Sequence, residues 1–175
     1  LICQELERGD SGLRSFVSVQ GSLCMFPIWA YGTEEQKQRY LPQMAAGKLI
    51  GCFGLTEADF GSNPGGMLTK AVKDGDHYVL NGSKYWITNG SIGHVAIVWA
   101  KLDGVVRGFL VDKGTPGFTA TRIDSTIGSD VVRLGELSFE DCFIPQEQVI
   151  GEVGQGFAIA MGSLTAGRLG VSLSC

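Results

Sequence analysis

At 175 residues the chain is long enough for one ordinary hydrophobic core, and its net charge of -4 offers no electrostatic case for nucleic acid. Composition is 44% hydrophobic and 18% charged, which excludes a disordered chain, and no polybasic run argues for a membrane surface. The longest apolar runs, such as Val95 to Ala100, fall far short of the roughly 20 residues that span a bilayer, and the N-terminus shows no secretory signal.

Helical periodicity governs residues 1–48. Leu1, Ile2 and Leu6 share a helix face, and Gly9, Ser11 and Gly12 break it. A second helix is predicted from about Leu13 towards Met25, stopping before Pro27. Thr33-Glu34-Glu35-Gln36 is a capping box with acid in the first turn, and the helix it starts is expected to end at Leu41-Pro42.

Between 49 and 152 the pattern becomes β. The dipeptides Asp74-Gly75, Asn81-Gly82, Asn89-Gly90 and Asp103-Gly104 read as hairpin turns. Strands are predicted at His77–Leu80, Lys84–Thr88, Val95–Trp99, Arg107–Val111 and Leu137–Phe143, the last stopping before Pro145. Strands at this spacing indicate an antiparallel barrel or sandwich. From 153 to 175 the helical period returns, with Phe157, Ala160, Met161 and Leu164 on one face. The fold class is therefore α+β, an antiparallel β-barrel domain flanked by helices. Both ends of the chain, Leu1-Ile2-Cys3 and Gly167 to Cys175, read as cut from within longer helices.

Five cysteines without a CxxC pair, and only two histidines, His77 and His94, give neither a zinc pattern nor a disulfide framework. They read as buried thiols, and no metal is expected. Two segments carry more chemistry. In Cys52 to Ser62 a short strand runs into a loop with hydroxyls at Thr56 and Ser62 and a glycine at 61. Such a loop offers N–H and hydroxyl groups to a phosphate or a ring edge, although a plain surface turn has the same composition. In Lys84 to Gly90, Trp86 and Thr88 lie two apart, so a strand would turn both to one side. An aromatic plate beside a hydroxyl suits a flat heterocycle, and a core tryptophan is the plainer alternative.

Taken in order, Leu55-Thr56-Glu57 with Gly61-Ser62, followed by Lys84-Tyr85-Trp86-Ile87-Thr88-Asn89, resembles the acyl-CoA dehydrogenase family. Gly32 to Pro42, Leu80 to Lys84, Gly108 to Val111, Phe139 to Cys142 before Pro145, and Gly154 to Phe157 agree. The resemblance implies FAD as cofactor, an acyl-CoA substrate, electron-transfer flavoprotein as electron acceptor, and a homotetramer of three-domain subunits. Residues 1–48 would be the end of the N-terminal helical domain, 49–152 the middle β domain, and 153–175 the first helix of the C-terminal domain. Phe53, Leu55 and Thr56 would then contact the flavin, with Gly61 and Ser62 near the pyrophosphate and the thioester chain. Trp86, followed by Ile87, would cover the flavin face away from substrate, and Thr88 would bond near the hydride-accepting nitrogen. A bacterial cytoplasm or mitochondrial matrix is implied as the compartment, with neither nucleic acid nor membrane as partner.

The N-terminal stretch from Glu5 to Gln20 is most similar to the glutaryl-CoA branch. There the positions of Glu7, Arg14, Ser15 and Ser18 surround the far carboxylate of a dicarboxylyl chain, and Arg168 lies on the substrate side. A guanidinium can hold a carboxylate bidentately while hydroxyls fill the remaining acceptor sites. A solvated Glu7–Arg14 pair is the plainer reading. The implied reaction is oxidation across Cα–Cβ, with loss of CO2 to crotonyl-CoA in this branch. The resemblance places the catalytic glutamate beyond Cys175, so no base is assigned, and Glu57 and Glu152 are declined as substitutes. Two departures stand out. Asp130-Val131-Val132 occupies the place of a common Arg-Ala-Ser, and Ala58 that of a common proline. An acyl-CoA oxidase of the same fold, another short-chain dehydrogenase and a non-catalytic acyl-CoA- or protein-binding relative are the alternatives.

Overall fold

The computed structural model describes residues 1–124, 126 and 132–172, so Asp130 and Val131 lie outside the described residues. Asp10 makes the first corner of the chain. Its extended backbone, φ -165°, separates α1 (Ile2–Gly9) from α2 (Ser11–Ser18), and its carboxylate accepts the Leu13 N–H at 2.9 Å as an N-cap. The helix does not stop before Pro27. It passes through a π-helical segment, Val19–Met25, into α3 (Phe26–Tyr31). The shift to i→i−5 bonding, seen where the Phe26 N–H reaches the Gly21 carbonyl, puts Pro27 in the first turn of α3, where a missing N–H costs little.

The capping box forms as expected, with the Thr33 side chain and Gln36 bonded reciprocally, and opens α4 (Glu34–Ala45). Pro42 does not end this helix. Met44, 2% exposed, packs in the core, and its carbonyl accepts Gln20 Nε2 at 3.1 Å, so tertiary contacts hold the last turn beyond the proline.

Eight strands follow: β1 (Gly51–Gly54), β2 (Lys70–Asp74), β3 (His77–Ile87), β4 (Val95–Leu102), β5 (Val105–Asp112), β6 (Phe118–Arg122), β7 (Gly135–Pro145) and β8 (Val149–Ile150). Their order in one sheet is β6-β7-β3-β2-β4-β5-β8, with β1 beside β4. The pairs β1–β4 and β2–β4 are parallel and the others antiparallel. Among the described residues no pairing closes β6 onto β8 and two pairs are parallel, so the β domain expected as an antiparallel barrel between helices takes the form of an open mixed sheet.

Asp74-Gly75 and Asp103-Gly104 are hairpin turns, and the latter has φ of +51° and +79° as a tight two-residue turn requires. The other two dipeptides are not. Asn81-Gly82 lies inside β3, at a register shift where Asn81 faces Asp141 of β7 and exchanges two hydrogen bonds with it. Asn89-Gly90 is a turn, but it leads from β3 to β4, which are not neighbours in the sheet.

The core has two parts. One lies between the sheet and the helices, around Ile28, Tyr40, Phe53, Trp99 and Ile159; the other lies around Leu80, Val98, Phe109, Leu137 and Phe139. Polar latches join the layers. Gln20 donates to the Leu49 carbonyl at 2.8 Å and accepts the Gly51 N–H at 2.7 Å. Gln36 donates to the carbonyls of Glu147 and Val149. The last element, α5 (Gly156–Ser172), buries Ile159 and Ala160, while Phe157, expected on its inner face, is 41% exposed. Cys24, Cys52 and Cys142 are buried free thiols, and burial raises the pKa of each.

Candidate functional site

β1 runs directly beneath the helical layer, so the loop that leaves it at Leu55 emerges between the π-helical segment, the end of β3 and α5. These elements enclose a cleft of about 370 Å³. Its apolar wall includes Val19, Leu23, Phe53, Leu55, Met161 and Leu164, and its polar groups are Thr56, Ser62, Thr88 and Arg168. Every residue predicted for the cofactor lies on this wall: Phe53, Leu55, Thr56, Gly61, Ser62, Trp86, Ile87 and Thr88.

The reason given for Trp86 and Thr88 sharing a side does not hold. Strand alternation ends before them, because Trp86 has φ +58° at a register shift between Lys84 and Ile87, and Thr88 lies past the strand. They meet in the cleft because the chain turns there. Trp86 is half-exposed, its ring edge-on to Tyr85 at 5.1 Å. At Gly61 a Cβ would meet nothing closer than Thr56 Cγ2 at 3.9 Å, so glycine keeps that rim of the cleft open.

A second cleft of about 440 Å³ continues from the first and shares Val19, Leu23, Thr88, Leu164 and Arg168 with it. Arg14, Ser15 and Ser18 of α2 line it. Glu7 stands behind Arg14, accepting Arg14 Nε at 2.6 Å and the Ser11 hydroxyl. The Arg14 and Glu7 side chains are 13% and 19% exposed, so this is a half-shielded pair rather than a solvated one. Of the predicted substrate residues, Arg14, Ser15, Ser18, Ser62 and Arg168 thus border one continuous space, and Glu7 lies behind it.

Sequence reasoning missed what holds the cleft-lining loop against β3. Lys84 of β3, fully buried, donates to the Leu55 carbonyl at 3.1 Å and to Glu57 Oε1 at 2.8 Å. Glu57 also accepts the N–H groups of Leu68 (2.6 Å) and Thr69 (3.0 Å) and the Thr69 hydroxyl (2.6 Å). Burial alone would raise the Glu57 pKa; the Leu68 N–H, Lys84 and Thr69 outweigh it, and the net shift is downward. Burial pulls Lys84 down to about 8 against the opposing pull of Glu57. Gly82 belongs to this joint: its φ is +139°, and a Cβ there would lie 2.7 Å from Thr69. The partners are 27 positions apart, and no periodicity links them.

Glu57 spends both carboxylate oxygens on the joint, and Glu152 sits in the turn before α5, off both cleft walls. Among the described residues no cluster of three His, Cys, Asp or Glu could hold a metal, and no helix is long and apolar enough to cross a membrane.

Comparison with known proteins agrees with this layout. Residues 1–48 match the model of the acyl-CoA dehydrogenase N-terminal domain, and residues 52–142 that of the middle domain. A short-chain specific acyl-CoA dehydrogenase of Clostridium acetobutylicum is 42% identical over 169 residues, 94% of this chain and 44% of that protein. A glutaryl-CoA dehydrogenase of Mycobacterium smegmatis, solved in complex with FADH2, superposes with a TM-score of 0.95 at 50% identity, covering 98% of this chain and 44% of that one. Butyryl-CoA dehydrogenase of Megasphaera elsdenii gives 0.94 at 40%, covering 98% and 46%. The chain spans under half the length of these relatives. It belongs to the acyl-CoA dehydrogenase family.

Proposed function

We propose that the complete protein binds FAD in the first cleft and dehydrogenates an acyl-CoA thioester across Cα–Cβ, with glutaryl-CoA as the substrate. The cleft suits the cofactor by its own chemistry: an apolar wall, one half-exposed tryptophan plate, and hydroxyls at Thr56, Ser62 and Thr88. FAD, when bound, supplies the two-electron acceptor for the hydride leaving Cβ. Phe53, Leu55 and Ile87 would exclude water, Thr56 and Thr88 would bond the polar edge of the ring system, and Trp86 would cover one face. Gly61 and Ser62 would face the pyrophosphate and the thioester chain.

The observation that carries the substrate assignment is Arg14, half-shielded with Ser15 and Ser18 on the second cleft's wall, in a space continuous with the first. A chain lying along the shared residues would present its far carboxylate to that guanidinium, with Arg168 at the junction. The α-proton is assigned to a carboxylate outside residues 1–175, and loss of CO2 would give crotonyl-CoA. We further propose a homotetramer of three-domain subunits, divided here at 48/49 and 152/153, that passes electrons to electron-transfer flavoprotein in a bacterial cytoplasm or mitochondrial matrix. Residues 1–175 alone are expected to be inactive.

The 42% identity to a short-chain specific enzyme favours a second reading, a monocarboxylic substrate such as butyryl-CoA. The purified complete protein decides between them. A yellow protein that turns over glutaryl-CoA in preference to butyryl-CoA supports the assignment. Preference for butyryl-CoA removes it and leaves the flavin site standing. A protein that stays colourless after FAD addition overturns both.

A further inference from the structure

We propose that Lys84, held by Glu57, is a positioning residue that fixes the spacing between two neighbouring segments lining the cleft, the loop at Thr56 and the turn at Trp86–Thr88. This rests on the reading that the cleft holds FAD. Thr56 sits between the two points that Lys84 grips, the Leu55 carbonyl and the Glu57 carboxylate. The Thr56 carbonyl accepts the N–H of Tyr85, the residue next to Lys84, at 2.8 Å. Three bonds from two consecutive residues of β3 therefore pin three consecutive residues of the loop.

A third segment locks the joint. Leu68 and Thr69 give Glu57 three hydrogen bonds, and the Thr69 hydroxyl lies 3.2 Å from the Ser83 carbonyl on β3. Trp86 is two residues from Lys84 and is held at φ +58°, a strained backbone that persists only while its surroundings hold it, so displacement of Lys84 would let it relax. A cation shut away from water contributes uncertain net stability, since desolvation offsets its attraction to Glu57. A well-packed apolar side chain would fill the space equally well. What only the ammonium can do is bond the Leu55 carbonyl and Glu57 at once, and that bond pair ties β3 to the loop that lines the cleft.

The test uses the complete protein and compares Lys84→Met with Phe139→Leu, a change in the other part of the core. Thermal midpoints and circular dichroism report folding, and FAD titration, the visible flavin spectrum and the reduction midpoint potential report the cleft. Lys84→Met is expected to weaken FAD binding by about tenfold or more and to alter the spectrum and potential. Phe139→Leu should lower the thermal midpoint and leave all three cleft readouts in place. Where Lys84→Met does not fold, Thr69→Val, which removes one bond to Glu57, carries the same readouts. A folded variant that binds FAD with wild-type affinity, spectrum and potential overturns the proposal. If the wild type takes up no FAD, the flavin reading fails by itself, and the joint is read through quenching of Trp86 fluorescence, isolated as the difference between proteins with and without Trp86→Phe in a Trp29→Phe background. A quenching constant changed about twofold by Lys84→Met supports the joint, and an unchanged one overturns it.

Discussion

The Lys84–Glu57 pair beneath the first cleft and the Arg14–Glu7 pair beside the second differ in what else each carboxylate does. Glu57 accepts two backbone N–H groups and a hydroxyl besides the ammonium, and the pair is shut away from water. Glu7 accepts the Ser11 hydroxyl and Arg14 Nε across one helix corner, with both side chains partly open to solvent. A carboxylate saturated from three segments of chain acts as a joint and tolerates no second ligand. A guanidinium held through Nε at the edge of a cleft is placed, on the proposed reading, to meet a substrate carboxylate. The same ion-pair chemistry would then serve structure in one place and recognition in the other.

Four measurements on the complete protein sharpen or break this contrast. Glu57→Gln should have the largest effect, a stability loss of about 3–5 kcal/mol read by denaturation, because it strands a buried ammonium. Its pH dependence follows from the signs. Glu57 has a lowered pKa, so its contribution is present above its ordinary 4.5 and is lost as pH falls through the folded value. Lys84 is also lowered, from 10.5 to about 8, so between these values the unfolded chain holds a proton that the folded one has released. Wild-type stability should therefore gain from Lys84 as pH rises from about 8 to 10.5. A deficit in Glu57→Gln no larger than that of an exposed pair would end the distinction.

Arg14→Ala comes next. It should lower kcat/KM for glutaryl-CoA by roughly two orders of magnitude or more and leave butyryl-CoA within about threefold. Equal losses on both substrates would make Arg14 structural, like Lys84. Asp10→Ala removes the N-cap of the helix that carries Arg14, Ser15 and Ser18, and should cost about 1 kcal/mol in thermal stability. Its KM for glutaryl-CoA should rise more than its KM for butyryl-CoA. Smallest is Arg8→Ala, which breaks an exposed pair with Glu5 and should change stability by less than about 0.5 kcal/mol.

What the sequence disclosed divides along similar lines. The capping box at Thr33 and the Asp103-Gly104 hairpin were legible because their partners lie within four residues. Asn81-Gly82 was misread because the dipeptide announces an unusual backbone without saying whether the chain turns or bulges; the Asn81–Asp141 bonds made it a bulge. Pro27 and Pro42 were misread as stops because a π-helical segment and the Gln20–Met44 bond, both tertiary matters, carried the helices past them. The residues named through the family resemblance for the cofactor all line the first cleft, whereas the alternation argument for Trp86 and Thr88 failed at the turn of the chain. The Lys84–Glu57 joint left no local signal, since each residue alone looks like an ordinary surface charge.

The left-handed backbone of Trp86 has a consequence for how variants of this protein would be sorted. Replacement by glycine would relieve strain of about 1–2 kcal/mol, against about 0.5–1 kcal/mol of added chain entropy, about 0.5–1.5 kcal/mol for the lost ring contact with Tyr85 and about 2–3 kcal/mol for the half of the indole that is buried. The strain relief hides part of the loss. A screen for thermostability would register Trp86→Gly as a moderate change, while on the flavin reading a screen for yellow colour would reject it outright. Heat-based selection acting on this protein would therefore penalise loss of this ring less than its place in the cleft demands.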